Sequence, residues 1–124
     1  MSDISELPPN VQERLLRLQQ LQRSLQTVLA QKQQVELELT ETEQALTEME
    51  TLAEDAVIYK SIGSLLVKAE KTKVEAELKE RKELLNTRVE VLGKQEERLR
   101  TQYNQLQTKL KRDLSTESLG LTTP

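Results

Sequence analysis

The chain has 124 residues and a net charge of −3, with 31% charged, 35% hydrophobic and only 2% aromatic residues. With no Trp and no Phe it lacks the bulky side chains that fill a compact core, although it has the length of one domain. It has no Cys and no His either, which excludes a disulfide framework, thiol chemistry and the commonest catalytic and metal-binding side chain, so no catalytic residue, metal site or cofactor is expected.

The lead, residues 1–10, opens with Met1 to Leu7, which have neither a basic n-region nor an apolar h-region. No apolar run approaches the ~18 residues of a membrane span. These features, together with the absence of Cys, lead us to expect a soluble, unexported protein of a reducing cytoplasm. Pro8-Pro9 blocks helix upstream, and Asn10 followed by Glu13 has capping-box spacing. From Leu18 the apolar positions run Leu18, Leu21, Leu25, Val28, Lys32, Val35, Leu39, Thr42, Leu46, Met49, Ala53, in alternating steps of three and four. That is a heptad seam, and it predicts a helix from Val11 to Ala53, about 65 Å long, within a first coiled-coil segment 11–55.

Segment 56–70 breaks the helical pattern. Val57, Ile58 and Tyr59 precede Ile62, a Gly63-Ser64 pair follows, and Leu65, Leu66 and Val67 come after it. β-branched and aromatic residues around a Gly-containing dipeptide predict a β-hairpin. With Gly63 and Ser64 as the turn, Ile62 faces Leu65, Lys60 faces Val67 and Ile58 faces Ala69. A lone two-stranded hairpin is marginal in water, and one with an apolar face and open edges must pair with something outside itself.

Segment 71–114 repeats the helical pattern. Thr72 and Glu75 have capping-box spacing, and a second seam reads Leu78, Lys82, Leu85, Val89, Leu92, Glu96, Leu99, Tyr103, Leu106, Leu110. Gly93 is its one weak point. Residues 115–124, small and polar, read as a mobile tail.

The numbering predicts that the two helices fold back on each other. Facing residues of an antiparallel pair keep a constant sum: 18/110, 25/103, 32/96, 39/89 and 46/82 sum to 128, and 21/106, 28/99, 35/92, 42/85 and 49/78 to 127, which centres between Gly63 and Ser64. Charge agrees, since Val11 to Ala53 holds four basic and seven acidic residues and Lys71 to Leu114 twelve basic and eight acidic. On the same line Lys32 meets Glu96, a charged pair among apolar layers that would set the register. Lys82 faces Leu46 and is expected to snorkel outward. Most leucines of the seam are coiled-coil core. At the end carrying both termini, however, Val11, Leu15, Leu16, Leu18, Leu110 and Leu114, with Leu119 and Leu121, exceed what one seam can hide, which predicts an apolar binding surface there.

Two other functions fit poorly. Paired carboxylates abound, but an exposed two-helix rod has no cleft in which to tune them as catalysts. A nucleic-acid arm would need a basic stripe with stacking aromatics, whereas the basic helix faces the acidic one. A structural coiled-coil adaptor or spacer stays open as an alternative.

Three stretches resemble the prefoldin family, in its beta type: the hairpin Ile58-Tyr59-Lys60-Ser61-Ile62-Gly63 with Leu65-Leu66-Val67, the helix start Pro8-Pro9 with Val11-Gln12, and Lys94-Gln95-Glu96-Glu97-Arg98-Leu99 in the second helix. The resemblance spans residues 7 to 114, and one hairpin rather than two points to the beta type. It implies a mainly α fold, a long antiparallel two-helix coiled coil whose single central β-hairpin oligomerises into a β-barrel platform. It further implies a hexamer of two alpha-type and four beta-type subunits, an ATP-independent holdase that grips unfolded client proteins at the coiled-coil tips and passes them to a group II chaperonin. Neither nucleic acid nor membrane is implied as a partner.

Overall fold

The computed structural model describes the backbone of residues 6–122 and the side chains of residues 6–115. Four elements follow in order: α1 Pro9–Thr51, β1 Ile58–Ile62, β2 Leu65–Ala69 and α2 Lys71–Thr122. The chain divides into two compact units, one formed by Met1–Ala30 with Leu92–Pro124 and the other by Gln31–Val91.

Helix α1 starts at Pro9, two residues before the Val11 that the sequence predicts. Pro9 takes the first helical position, where its missing N–H costs nothing and its fixed φ suits the helix. Pro8, held out of the helical region by the proline after it, acts as the cap: its carbonyl accepts from the amides of Val11 and Gln12, both at 3.0 Å. Gln12 Nε2 also donates to the Leu7 carbonyl at 2.7 Å. Asn10 therefore lies inside the first turn and is not the N-cap. A similar correction applies to α2, which begins at Lys71, with the Val74 amide bonded to the Glu70 carbonyl at 3.0 Å, so Thr72 is a helical residue and no cap.

At its C-terminal end α1 stops at Thr51, short of Ala53, and Ala53 is exposed. Glu48, Glu50, Glu54 and Asp55 crowd the negative end of the helix dipole and disfavour further turns. Lys71 compensates from the start of α2: its Nζ donates to the Leu52 carbonyl at 2.7 Å and lies 3.6 Å from Glu75. Residues 115–122, expected to form a tail, instead continue α2. Between Ser115 and Leu119 nothing breaks a helix, and the single Gly120 costs only about 1 kcal/mol.

The heptad seam is the core in both units. Every seam position from Leu18 to Met49 and from Leu78 to Leu110 is buried or half-buried. In the unit Gln31–Val91 the most buried are Val35, Thr42, Met49 and Leu85. Thr42 is polar, but its hydroxyl donates to the Glu38 carbonyl one turn back at 2.8 Å, so nothing polar is left unpaired in that layer. Antiparallel order within this unit shows in the cross-helix pairs, with Lys71 at Leu52 and Arg81 Nη2 4.0 Å from Glu38. In the unit formed by the two chain ends, Leu21 and Leu110 are buried and Arg14 pairs with Asp113.

The hairpin has the predicted register: Ile58 pairs with Ala69, Tyr59 with Lys68, Lys60 with Val67, Ser61 with Leu66 and Ile62 with Leu65. Gly63 has φ 59° while no non-glycine residue has positive φ, which makes Gly63-Ser64 a type II′ turn, one of the two whose twist matches the strands it joins.

Candidate assembly and client-binding surfaces

The first surface is the hairpin. Alternation along each strand sends Ile62, Leu65 and Val67 to one face and Tyr59 and Leu66 to the other. Neither face is covered: Leu66 is 72%, Leu65 66%, Val57 61%, Tyr59 60%, Ile62 53% and Val67 44% exposed. Only Ile58 and Ala69, at the base of the hairpin, are half-buried. Lys60 Nζ sits 2.7 Å from Glu77 Oε2 of α2, an ion pair from the hairpin to a helix, and such an exposed pair adds less than about 1 kcal/mol. Burying a side chain of this size contributes roughly 1.5–3 kcal/mol, so six of them, five on the strands and Val57 just before, make a strong drive toward association. The strand edges add unpaired backbone donors and acceptors to the same surface.

The second surface is the end of the coiled coil that carries both termini. There the residues expected to form one apolar patch separate into two sets. Val11 and Leu110 are buried, at 1% and 5% exposure, so these two do not belong to the apolar binding surface expected at this end. The reason is that the seam extends further than its apolar pattern suggests. Val11, Arg14 and Leu18 continue the three-four alternation upstream, Leu110 and Asp113 continue it downstream, and Arg14 and Asp113 form an ion pair whose numbers sum to 127. A charged layer thus stands where an apolar one was sought, and the constant sum was the signal that could have found it. Leu15 and Leu18 are half-buried, while Leu16 and Leu114 are exposed. Leu119 and Leu121 lie outside the residues whose side chains are described.

Of the charged pair expected to set the register, Lys32 lies 3.9 Å from Glu36, and Glu96 accepts from Arg100 Nε at 2.9 Å; both are half-buried. Among the described residues no group of acidic side chains could hold a metal ion, and no helix is long and apolar enough to cross a membrane.

Two antiparallel heptad helices joined by one solvent-exposed apolar hairpin define an antiparallel coiled-coil protein with an uncovered strand pair. The profile of the prefoldin subunit family matches residues 12–117, and the chain belongs to that family of chaperone subunits. The relatives it resembles are of the beta type. It is 45% identical to the prefoldin subunit beta of Methanothrix thermoacetophila over 88% of this chain and 91% of that one, and 51% identical to that of Thermococcus kodakarensis over 66% and 70%. The crystal structure of the prefoldin beta subunit from Thermococcus strain KS-1 superposes with a TM-score of 0.80 at 45% identity, covering 92% of this chain and 97% of that one. The beta2 subunit of the same strain, at 24% identity and a TM-score of 0.67 over 73% and 97%, shares the fold.

Proposed function

We propose that this chain is the beta-type subunit of an ATP-independent holdase, assembling with alpha-type subunits into a hexamer of two alpha and four beta chains through its hairpin and gripping unfolded proteins at the helix ends. The observation that carries the reading is the coexistence, on one small chain, of an uncovered apolar hairpin and separate exposed leucines at the end bearing the termini. The hairpin strands complete β-barrels in a platform. Leu16 and Leu114, with Leu15 and Leu18 where the helices fray, offer flexible apolar contact with no shaped pocket, which suits weak binding to many sequences rather than tight binding to one. Several such ends on one assembly hold a client by multivalency, each contact weak and the effective concentration high. The client then passes to a group II chaperonin in the cytoplasm. No catalytic step is involved, and the chain carries no glycine-rich phosphate loop.

The test is suppression of aggregation of a thermally unfolding protein by the assembled complex. Leu16→Ser with Leu114→Ser is expected to leave the particle mass unchanged and to remove most of the protection. Equal protection by the variant would move the client site elsewhere in the assembly. A spacer or adaptor would show no protection with either protein.

A further inference from the structure

In the unit Gln31–Val91, one flank of the coiled coil is hollowed below the hairpin. Two cavities of about 620 and 340 Å³ adjoin there and share Ala45, Lys60, Val74 and Leu78. Their apolar surface includes residues beyond what the seam needs: Leu84 is 61% and Leu52 41% exposed, and Val74 is half-buried. Along α1 and the residue just after it the hollow reaches from Glu38 to Leu52, about 21 Å at 1.5 Å per residue, or roughly four helical turns.

The charges around it are unbalanced. Glu38, Glu41, Glu48, Glu77 and Glu80 line the two cavities, against Lys60 and Arg81. Lys60 is taken by Glu77 and Arg81 by Glu38. Glu41, Glu48 and Glu80 have no cation partner among the described residues. Glu41 and Glu48 come from α1 and Glu80 from α2, so the surplus negative charge stands on both walls of an apolar trough.

We propose that this trough is a docking groove for a basic amphipathic helix of a partner protein, about four turns long, which lays its apolar stripe between α1 and α2 and places Lys or Arg against Glu41 and Glu80. Length, apolar floor and flanking carboxylates match that chemistry together. Acidic or nucleic-acid partners are repelled by the same walls. A second copy of this chain fits less well, because its α1 is acidic and the apolar stripe of its basic α2 is already buried or half-buried in its own seam. The trough borders the base of the hairpin at Ile58, Tyr59 and Lys60 but leaves Ile62, Leu65, Leu66 and Val67 free, it excludes the leucines at the helix ends, and it does not rest on the holdase reading.

The experiment titrates the full chain into a fluorescein-labelled helical peptide of about four turns, with leucines at i, i+3, i+4 and i+7 and lysines on both flanks, and reads anisotropy. A second peptide has glutamates in place of the lysines. Saturable binding is expected for the lysine peptide only, weakened about tenfold by Glu41→Lys combined with Glu80→Lys and again by added salt. Both glutamates are exposed and outside the seam, and circular dichroism of the variant is expected to match the parent. Leu84→Ser is expected to weaken the lysine peptide without changing particle mass, and Leu16→Ser with Leu114→Ser to leave its affinity unchanged. Equal binding of both peptides overturns the proposal, as does indifference to the charge reversals. So does a change of particle mass in Leu84→Ser, which would make the trough a contact between copies. Loss of peptide binding in the Leu16 and Leu114 variant would place the peptide at the helix ends and overturn it as well.

Discussion

Two glycines illustrate how differently the same residue behaves in this chain. Gly63 holds φ at 59°, where a Cβ would crowd the local backbone, so Gly63→Ala is expected to destabilise the hairpin by about 1–2 kcal/mol even though no atom beyond its chain neighbours lies within 4 Å of the added carbon. Gly93 sits in α2 with ordinary helical φ and equally open space. There Ala removes backbone entropy from the unfolded chain and meets nothing in the folded one, so Gly93→Ala is expected to stabilise by about 1 kcal/mol. Thermal melts of the two variants followed at 222 nm should therefore shift in opposite directions; a shared direction would contradict the argument. Thr42 shows a third behaviour: a polar residue buried in the seam and kept neutral in cost by a bond to its own helix.

Among the elements, the hairpin and the coiled coil make different demands. The hairpin is stable as a unit only when its faces are covered, and replacing Ile62 and Leu65 with Asp is expected to leave two helices that still pair but no longer assemble. Light scattering checks this, and an undiminished particle mass would show that assembly runs through another surface. The coiled coil depends on register. The constant sum proposes that Lys32 and Glu96 share a layer, and Lys32→Cys with Glu96→Cys should then form a disulfide on mild oxidation, whereas a Cys pair displaced by one heptad should not. The reverse result would shift the register. The Arg14–Asp113 layer points the same way, because its residues satisfy the sum without having been used to find it. Charge in such layers costs stability yet penalises misaligned pairings more.

For the molecule as a whole, the two surfaces imply a division of labour that truncation can separate. Removing residues 1–17 and 111–124 together is expected to preserve assembly while abolishing protection of an unfolding client, measured by turbidity. That truncation also removes buried Val11 and the Arg14–Asp113 pair, so the Leu16 and Leu114 point variants are the sharper form of the same test. Raising the salt concentration is expected to lower thermal stability, because the acidic α1 and basic α2 attract across a surface that solvent screens. The elements, the hairpin register and the seam from Leu18 onward were legible in the sequence because each is a local or periodic property. Side-chain alternation, heptad spacing and a glycine turn are set by backbone geometry, and a constant residue sum carries them across the fold. The ends of the helices and the exposure of individual leucines were not legible. Pro8 rather than Asn10 caps α1, Lys71 caps its far end, and Val11 and Leu110 are buried behind an ion pair, each decided by which groups the opposite arm or the preceding turn brings within bonding distance. Apart from the local Pro8 cap, those distances exist only once the chain has folded back on itself, and the same folding leaves Leu84 and the carboxylates of Glu41 and Glu80 around an open trough that no linear pattern marks.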